Sequence, residues 1–104
     1  MEPVNVILER LFEDNQFATF LQIACKNNDF QYNDVHECIG NFNEKIGTTS
    51  FYEPVIQRVM IDANNWTDKE VFLLGVIFHY YKVPFLYVDE DGKFAKYPYR
   101  LNDE

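Results

Sequence analysis

The most strongly patterned stretch of the chain runs from Thr67 to Tyr81. Every residue from Val71 to Phe78 is apolar or glycine, with no polar stripe. A helix that is apolar on all sides must be covered on all sides. Thr67 and Glu70 have capping-box spacing, which predicts where the helix begins. The run is shorter than the roughly 20 residues needed to cross a bilayer, so it predicts the central helix, 67–82, of a soluble core.

The N-terminal quarter predicts two helices rather than one. Apolar residues recur at helical spacing over 4–12 and again over 17–24, but the two apolar faces point about 150° apart at 3.6 residues per turn. A single straight helix would need cover on opposite sides. Asp14 and Asn15 are good N-caps, so we predict helices over 4–13 and 16–26 with a break between them.

The middle of the chain predicts two more helices. Asn33 is the expected N-cap of the first, whose apolar stripe runs from Val35 to Ile46. Ser50 has capping-box spacing to Glu53 and is expected to begin the second, which continues to Ala63. Val59 and Met60 should then face the core from a helix.

The C-terminal quarter changes to strand patterning. Residues 85–88 and 93–97 read as two strands joined by a turn at Asp91-Gly92, where glycine tolerates a positive φ. A lone hairpin is marginal in water and must lie against the helices. The fold class predicted is α+β: one domain spanning 1–104, with about five helices, a C-terminal β-hairpin and a loose tail at 101–104.

Charge limits the partners of this domain. The formal charge is −8, with −7 in residues 1–70 and −1 in residues 71–104. Direct binding to nucleic acid or to an anionic membrane is disfavoured, because both rely on a basic surface. Met1 is not followed by a charged and then apolar leader, and Cys25 and Cys38 fit free buried thiols in a reducing compartment. We therefore expect a cytoplasmic protein.

Signs of catalysis or metal binding are weak. His36 and His79 are more simply explained as histidines on helix surfaces, and His36 with Cys38 lacks the further ligands that a zinc site needs. The acidic run 89–91 lacks the rest of a calcium loop. No glycine-rich phosphate loop or nucleophile elbow occurs. We expect no enzyme activity, cofactor or metal.

The arrangement of acidic residues gives the first candidate site. The predicted helix that begins at Asn33 places acidic residues opposite its apolar stripe, and the N-terminal helix does the same. Such rows could imitate backbone phosphates and occupy the nucleic-acid site of a basic protein, or they could simply be solvated faces. The residues concerned are Asp34, Glu37 and Glu44, together with Glu9 and Glu13.

The hairpin gives the second candidate site. Neither of its faces is polar, so packing one face on the helices leaves apolar groups on the other. We expect residues 85–99 to touch a second copy or another target, with Tyr87, Tyr97 and Tyr99 as anchors, since tyrosine is enriched in interfaces. The alternative is a hairpin whose second face is covered within the chain.

The function predicted first is a small acidic, non-enzymatic protein-binding regulator or inhibitor acting on a basic host protein. Residues with A/T-rich codons dominate the composition, which suits a phage or plasmid gene. The second prediction is a self-associating structural or accessory subunit, a homodimer through the hairpin. An enzyme is the third and weakest.

Overall fold

The structure is a computed structural model that describes residues 10–38, 59–64 and 66–101. The described chain begins in a helical segment that ends at Glu13. The elements that follow are α1 (Asn15–Asn27), α2 (Tyr32–Glu37), β1 (Val59–Asp62), α3 (Asp68–Tyr80), β2 (Phe85–Val88) and β3 (Phe94–Ala95). Helices together with a small sheet confirm the predicted α+β class.

The three strands form one mixed sheet in the order β1-β2-β3. β1 pairs with β2 in parallel, with Val59 opposite Phe85, and α3 is the crossover between them. β2 pairs with β3 antiparallel, with Val88 opposite Phe94. The predicted helix through Val59 and Met60 is therefore wrong. The expected two-stranded hairpin is instead part of a sheet whose central strand, β2, has a neighbour on each side.

Helix α3 lies at the centre of the described structure, as its sequence predicts. It contacts α1, α2 and β1, and residues 70–78 are all buried. Its start is a complete capping box. The Glu70 N–H donates to Thr67 Oγ1 at 3.4 Å, and the Thr67 N–H donates to Glu70 Oε1 at 2.9 Å. The backbone N–H groups of Thr67 and Glu70 thereby have side-chain acceptors before the apolar run begins.

The predicted break between the first two helices is present. Asp14 leaves the helical conformation, and its carboxylate accepts a hydrogen bond from the Gln16 N–H at 2.9 Å. The break lets Leu11 and Phe12 join the same core as Phe17 and Leu21. Residues 4–9 of the predicted first helix lie outside the described residues.

Helix α2 begins two residues earlier than predicted. Its N-cap position is Gln31, so Asn33, the predicted cap, lies inside the helix. Val35 is fully buried, which agrees with the predicted apolar stripe. The continuation of that stripe to Ile46, and the predicted helix start at Ser50, lie outside the described residues.

The two long helices end in the same way. After α1, Asp29 has φ 59° and the Phe30 N–H donates to the Cys25 carbonyl at 2.9 Å. After α3, Lys82 has φ 58° and the Val83 N–H donates to the Phe78 carbonyl at 2.8 Å. Each is a Schellman ending whose left-handed position, usually glycine, carries a larger residue.

The C-terminal segment is held to the helices at two points. The Tyr97 hydroxyl lies between the carbonyls of Val71 and Phe72, 2.9 and 3.0 Å away. Further on, the Asn28 side chain accepts from the Arg100 N–H at 2.9 Å and donates to the Arg100 carbonyl at 2.8 Å. These contacts bring residues that are far apart in the chain into one core.

No helix within residues 10–38, 59–64 and 66–101 is long and apolar enough to cross a membrane.

Candidate functional site: an acidic groove

An open groove of about 500 Å³ lies between α2 and the first turn of α3. We call it the acidic groove, because three of its side chains are carboxylates and one is basic. Asp34 and Glu37 come from α2, one helical turn apart, and Asp68 comes from the start of α3. The described residues that line it are Asp34, Glu37, Cys38, Thr67, Asp68 and Lys69.

Within the part of the chain that the structure describes, the negative charge of the acidic groove is only partly compensated. Lys69 Nζ lies 3.7 Å from Asp34 Oδ2, and both side chains are 48% exposed. A pair this exposed contributes little to stability and is easily rearranged, so Lys69 is available to turn away when a cation approaches. Glu37 and Asp68 are exposed as well. The groove therefore presents a local negative potential that favours a basic side chain.

Local structure explains why these carboxylates sit where they do. Asp68 is in the first turn of α3, where the helix dipole stabilises negative charge. Asp34 is in the first turn of α2 for the same reason. Val35, between Asp34 and Glu37, points into the core and fixes which side of α2 faces solvent. Burial of Val35 therefore orients the acidic row outward.

The structure brings together only some of the predicted acidic residues. Asp34 and Glu37 share the groove. Glu13 is exposed at the end of the first helical segment and does not line the groove. Glu9 and Glu44 lie outside the described residues. Asp68 was not predicted as a groove residue. The sequence could have indicated it, because Asp68 directly follows Thr67, the N-cap of a helix whose start was predicted correctly.

The predicted tyrosine anchors lie on the inner side of the sheet. Tyr97 packs edge-on against Phe85 and Tyr87, and burial raises its pKa well above the ordinary value of a tyrosine. Tyr99 packs against Phe30 and is half-buried. These contacts within the chain hold Tyr97 in place. The role of Tyr87, Tyr97 and Tyr99 in partner binding stays a prediction.

The two histidines make aromatic contacts. His79 is stacked on Phe20, with ring centroids 5.8 Å apart. His36 meets the edge of Phe12 at 4.7 Å. Both histidines are exposed at helix surfaces. Among residues 10–38, 59–64 and 66–101, no group of three or more His, Cys, Asp or Glu side chains is placed to hold a metal ion.

The acidic turn at 89–91 has a structural role. Asp89 Oδ1 accepts from the N–H groups of Asp91 and Lys93, at 2.9 and 3.0 Å. The Gly92 N–H closes the turn on the Asp89 carbonyl, and Gly92 has φ 77°. Asp89 therefore organises the connection between β2 and β3.

Both cysteines are free and buried. Burial raises the pKa of the Cys25 thiol to about 11, which disfavours the reactive thiolate. The Cys38 thiol donates to the Asp34 carbonyl at 3.6 Å. Cys38, which is 7% exposed, thus borders the acidic groove from the core side.

Comparison with protein-family models, curated proteins and solved structures finds no match for this chain, so any function must be argued from its own residues.

Proposed function

We propose that this chain is a small acidic, non-enzymatic binding protein that occupies the nucleic-acid site of a basic protein, as a regulator or inhibitor. The observation that supports this best is the acidic groove. Among the described residues, three carboxylates from two separate elements line it together with one exposed lysine. The overall charge of −8 extends the same potential over a longer range.

The chemistry of the groove favours binding over catalysis. Its polar groups are carboxylates, one hydroxyl and one ammonium, on exposed positions at helix starts. Carboxylates pair bidentately with arginine, the residue on which nucleic-acid-binding proteins rely for phosphate contacts. A protein surface that presents carboxylates in place of phosphates competes for those arginines. The amino-acid composition suggests an A/T-rich gene, which suits low-GC bacteria and their phages and plasmids. A phage or plasmid origin would fit a protein that acts on host machinery of this kind.

The test is competition with DNA. Basic proteins captured by the immobilised chain are purified, bound to a fluorescent duplex and titrated with the chain. Occupation of the nucleic-acid site predicts release of the duplex, weakened by added salt because the contacts are charged. Capture without release of the duplex would contradict the proposal.

Two double variants that remove the same charge separate the effect of the groove on competition from the effect of net charge. Asp34→Asn with Glu37→Gln removes two charges from the groove. Glu90→Gln with Asp91→Asn removes two charges from the turn after β2. We expect the first pair to weaken competition at least tenfold, about 1.4 kcal/mol, and the second to leave it within about threefold. Equal weakening by both pairs would mean that net charge, not the groove, is responsible.

A further inference from the structure

The outer face of the sheet is apolar, and among residues 10–38, 59–64 and 66–101 no element packs on it. Side chains alternate along a strand, and Ile61, fully buried, marks the inner face that packs on α3. Met60, Leu86 and Phe94 therefore point outward, and they are 54%, 37% and 71% exposed. Phe94 is the most exposed large apolar side chain that the structure describes. We call this surface the outer sheet face.

Strand register gives the outer sheet face an ordered pattern. Met60 lies opposite Leu86, and Asp62 lies opposite Val88, which in turn lies opposite Phe94. Continued by two residues, the antiparallel register sets Lys96 opposite Leu86. The inward direction of Tyr97 agrees with an outward Lys96. Asp62 and Lys96 thus stand at diagonally opposite corners of the face, with the apolar side chains between them.

This pattern is self-complementary. A two-fold rotation about an axis in the plane of the face lays one copy of the face on another. The rotation that puts Asp62 of one copy over Lys96 of the other also puts Lys96 of the first over Asp62 of the second. The apolar side chains then meet in the middle. An interface with this symmetry is isologous, the commonest arrangement in homodimers.

The charge distribution favours a second copy at this face. The described residues around the sheet, 59–64 and 81–101, hold four acidic and four basic groups. The whole chain carries −8, so contact between copies through its acidic helices would bring like charges together. The neutral outer sheet face avoids that repulsion. A strongly basic partner, by contrast, would find no excess of opposite charge there.

We propose that two copies of this chain associate face to face through the outer sheet face, with Leu86 and Val88 at its centre, Met60 and Phe94 at two of its corners, and reciprocal Asp62–Lys96 ion pairs at the other two. β1 and β2 are four residues long and β3 is two. With strands about 4.8 Å apart, the face measures at most about 10 by 13 Å. A stable specific interface buries about 800 Å² on each partner. The dimer is therefore weak and concentration-dependent. It shares no residue with the acidic groove and does not depend on the proposed function.

The test is sedimentation of the full chain from about 10 μM to about 1 mM, the range in which a small interface associates. We expect a monomer–dimer equilibrium that Phe94→Ser weakens at least tenfold. Ile23→Ser is the matched control, because Ile23 is 43% exposed on α1, away from the sheet. A monomer throughout the range, or equal effects of the two substitutions, would overturn the proposal.

A charge reversal tests the geometry. Lys96→Asp should weaken association at least tenfold, and adding Asp62→Lys should restore most of it by exchanging the two corners. Asp62 also accepts from the Asn64 N–H at 2.9 Å, so circular dichroism must show that the double variant folds. Zero-length carbodiimide cross-linking of the unaltered chain needs no substitution. It should join Asp62 to Lys96 between copies, and links confined to other residues would refute the arrangement.

Discussion

Gly75 is the position at which the central helix tolerates least change. The Tyr97 ring lies directly on the helix backbone there. A Cβ on residue 75 would stand 2.9 Å from Tyr97 Cε1 and still closer to its Cζ and Oη. Real Cβ atoms essentially never come within 3.0 Å of another atom. Gly75→Ala therefore forces the ring away from α3, although alanine is normally the better helix residue.

The expected cost has three parts. Overpacking a well-packed core costs about 1–3 kcal/mol. Displacing the ring also loosens the Tyr97 hydroxyl from the Val71 and Phe72 carbonyls, worth about 0.5–1.5 kcal/mol. The higher helix propensity of alanine stabilises the helix by about 1 kcal/mol and offsets part of this loss. Gly75→Ala should destabilise by about 0.5–3.5 kcal/mol in total, and Gly75→Leu, with three more carbons to place, by more.

Urea unfolding followed by circular dichroism measures this directly, in the parent and in a Tyr97→Leu background. Leucine lacks the ring atoms that block residue 75. In that background we expect Gly75→Ala to be neutral or to stabilise by up to about 1 kcal/mol. An equal loss in both backgrounds, within about 0.5 kcal/mol, would show that the two sites are independent and that the packing argument is wrong.

Four further substitutions test the helix ends, the Asn28–Arg100 contact and the buried thiol. Lys82→Gly should stabilise by about 0.5–1 kcal/mol by relieving a left-handed residue, and Asp29→Gly by less because aspartate tolerates that conformation better; thermal melts of the two variants compare them. Asn28→Ala should cost about 1–3 kcal/mol and, in hydrogen exchange, expose the Arg100 amide, since its acceptor is lost. Stability should fall as pH rises above 9, because burial raises the pKa of Cys25 to about 11 in the folded chain and the unfolded chain ionises first. Urea midpoints between pH 8 and pH 10.5 should therefore decline less steeply in Cys25→Ala.

The helices that the sequence predicts correctly are those whose signals are local. Thr67 and Glu70 define the start of α3 within four residues, and Asp14 defines the break before α1 in the same way. β1 is different. Val59 and Met60 fit a helical repeat with the residues before them, and their strand exists only through pairing with residues 26 positions later. A local pattern does not contain that pairing.

The candidate surfaces show the same limit. Alternation along residues 85–97 correctly separates the two faces of the sheet, but it does not say which face meets the helices. The Tyr97 hydroxyl is directed at α3, a contact that the alternation does not specify. Asp34 and Asp68 belong to elements 30 residues apart, and only packing of α2 on α3 places them in one groove.

A consequence follows if both proposed surfaces operate together. Because the acidic groove and the outer sheet face have no residue in common, a face-to-face dimer would carry two grooves. Two grooves on one particle can engage a dimeric basic protein at both of its sites, and the second contact then forms at a high effective concentration. Phe94→Ser should consequently weaken competition for DNA held by a dimeric target by at least tenfold, while leaving competition for a monomeric DNA-binding domain unchanged. Equal loss against both targets would mean that Phe94 contacts the target itself, and that the outer sheet face belongs to the binding site.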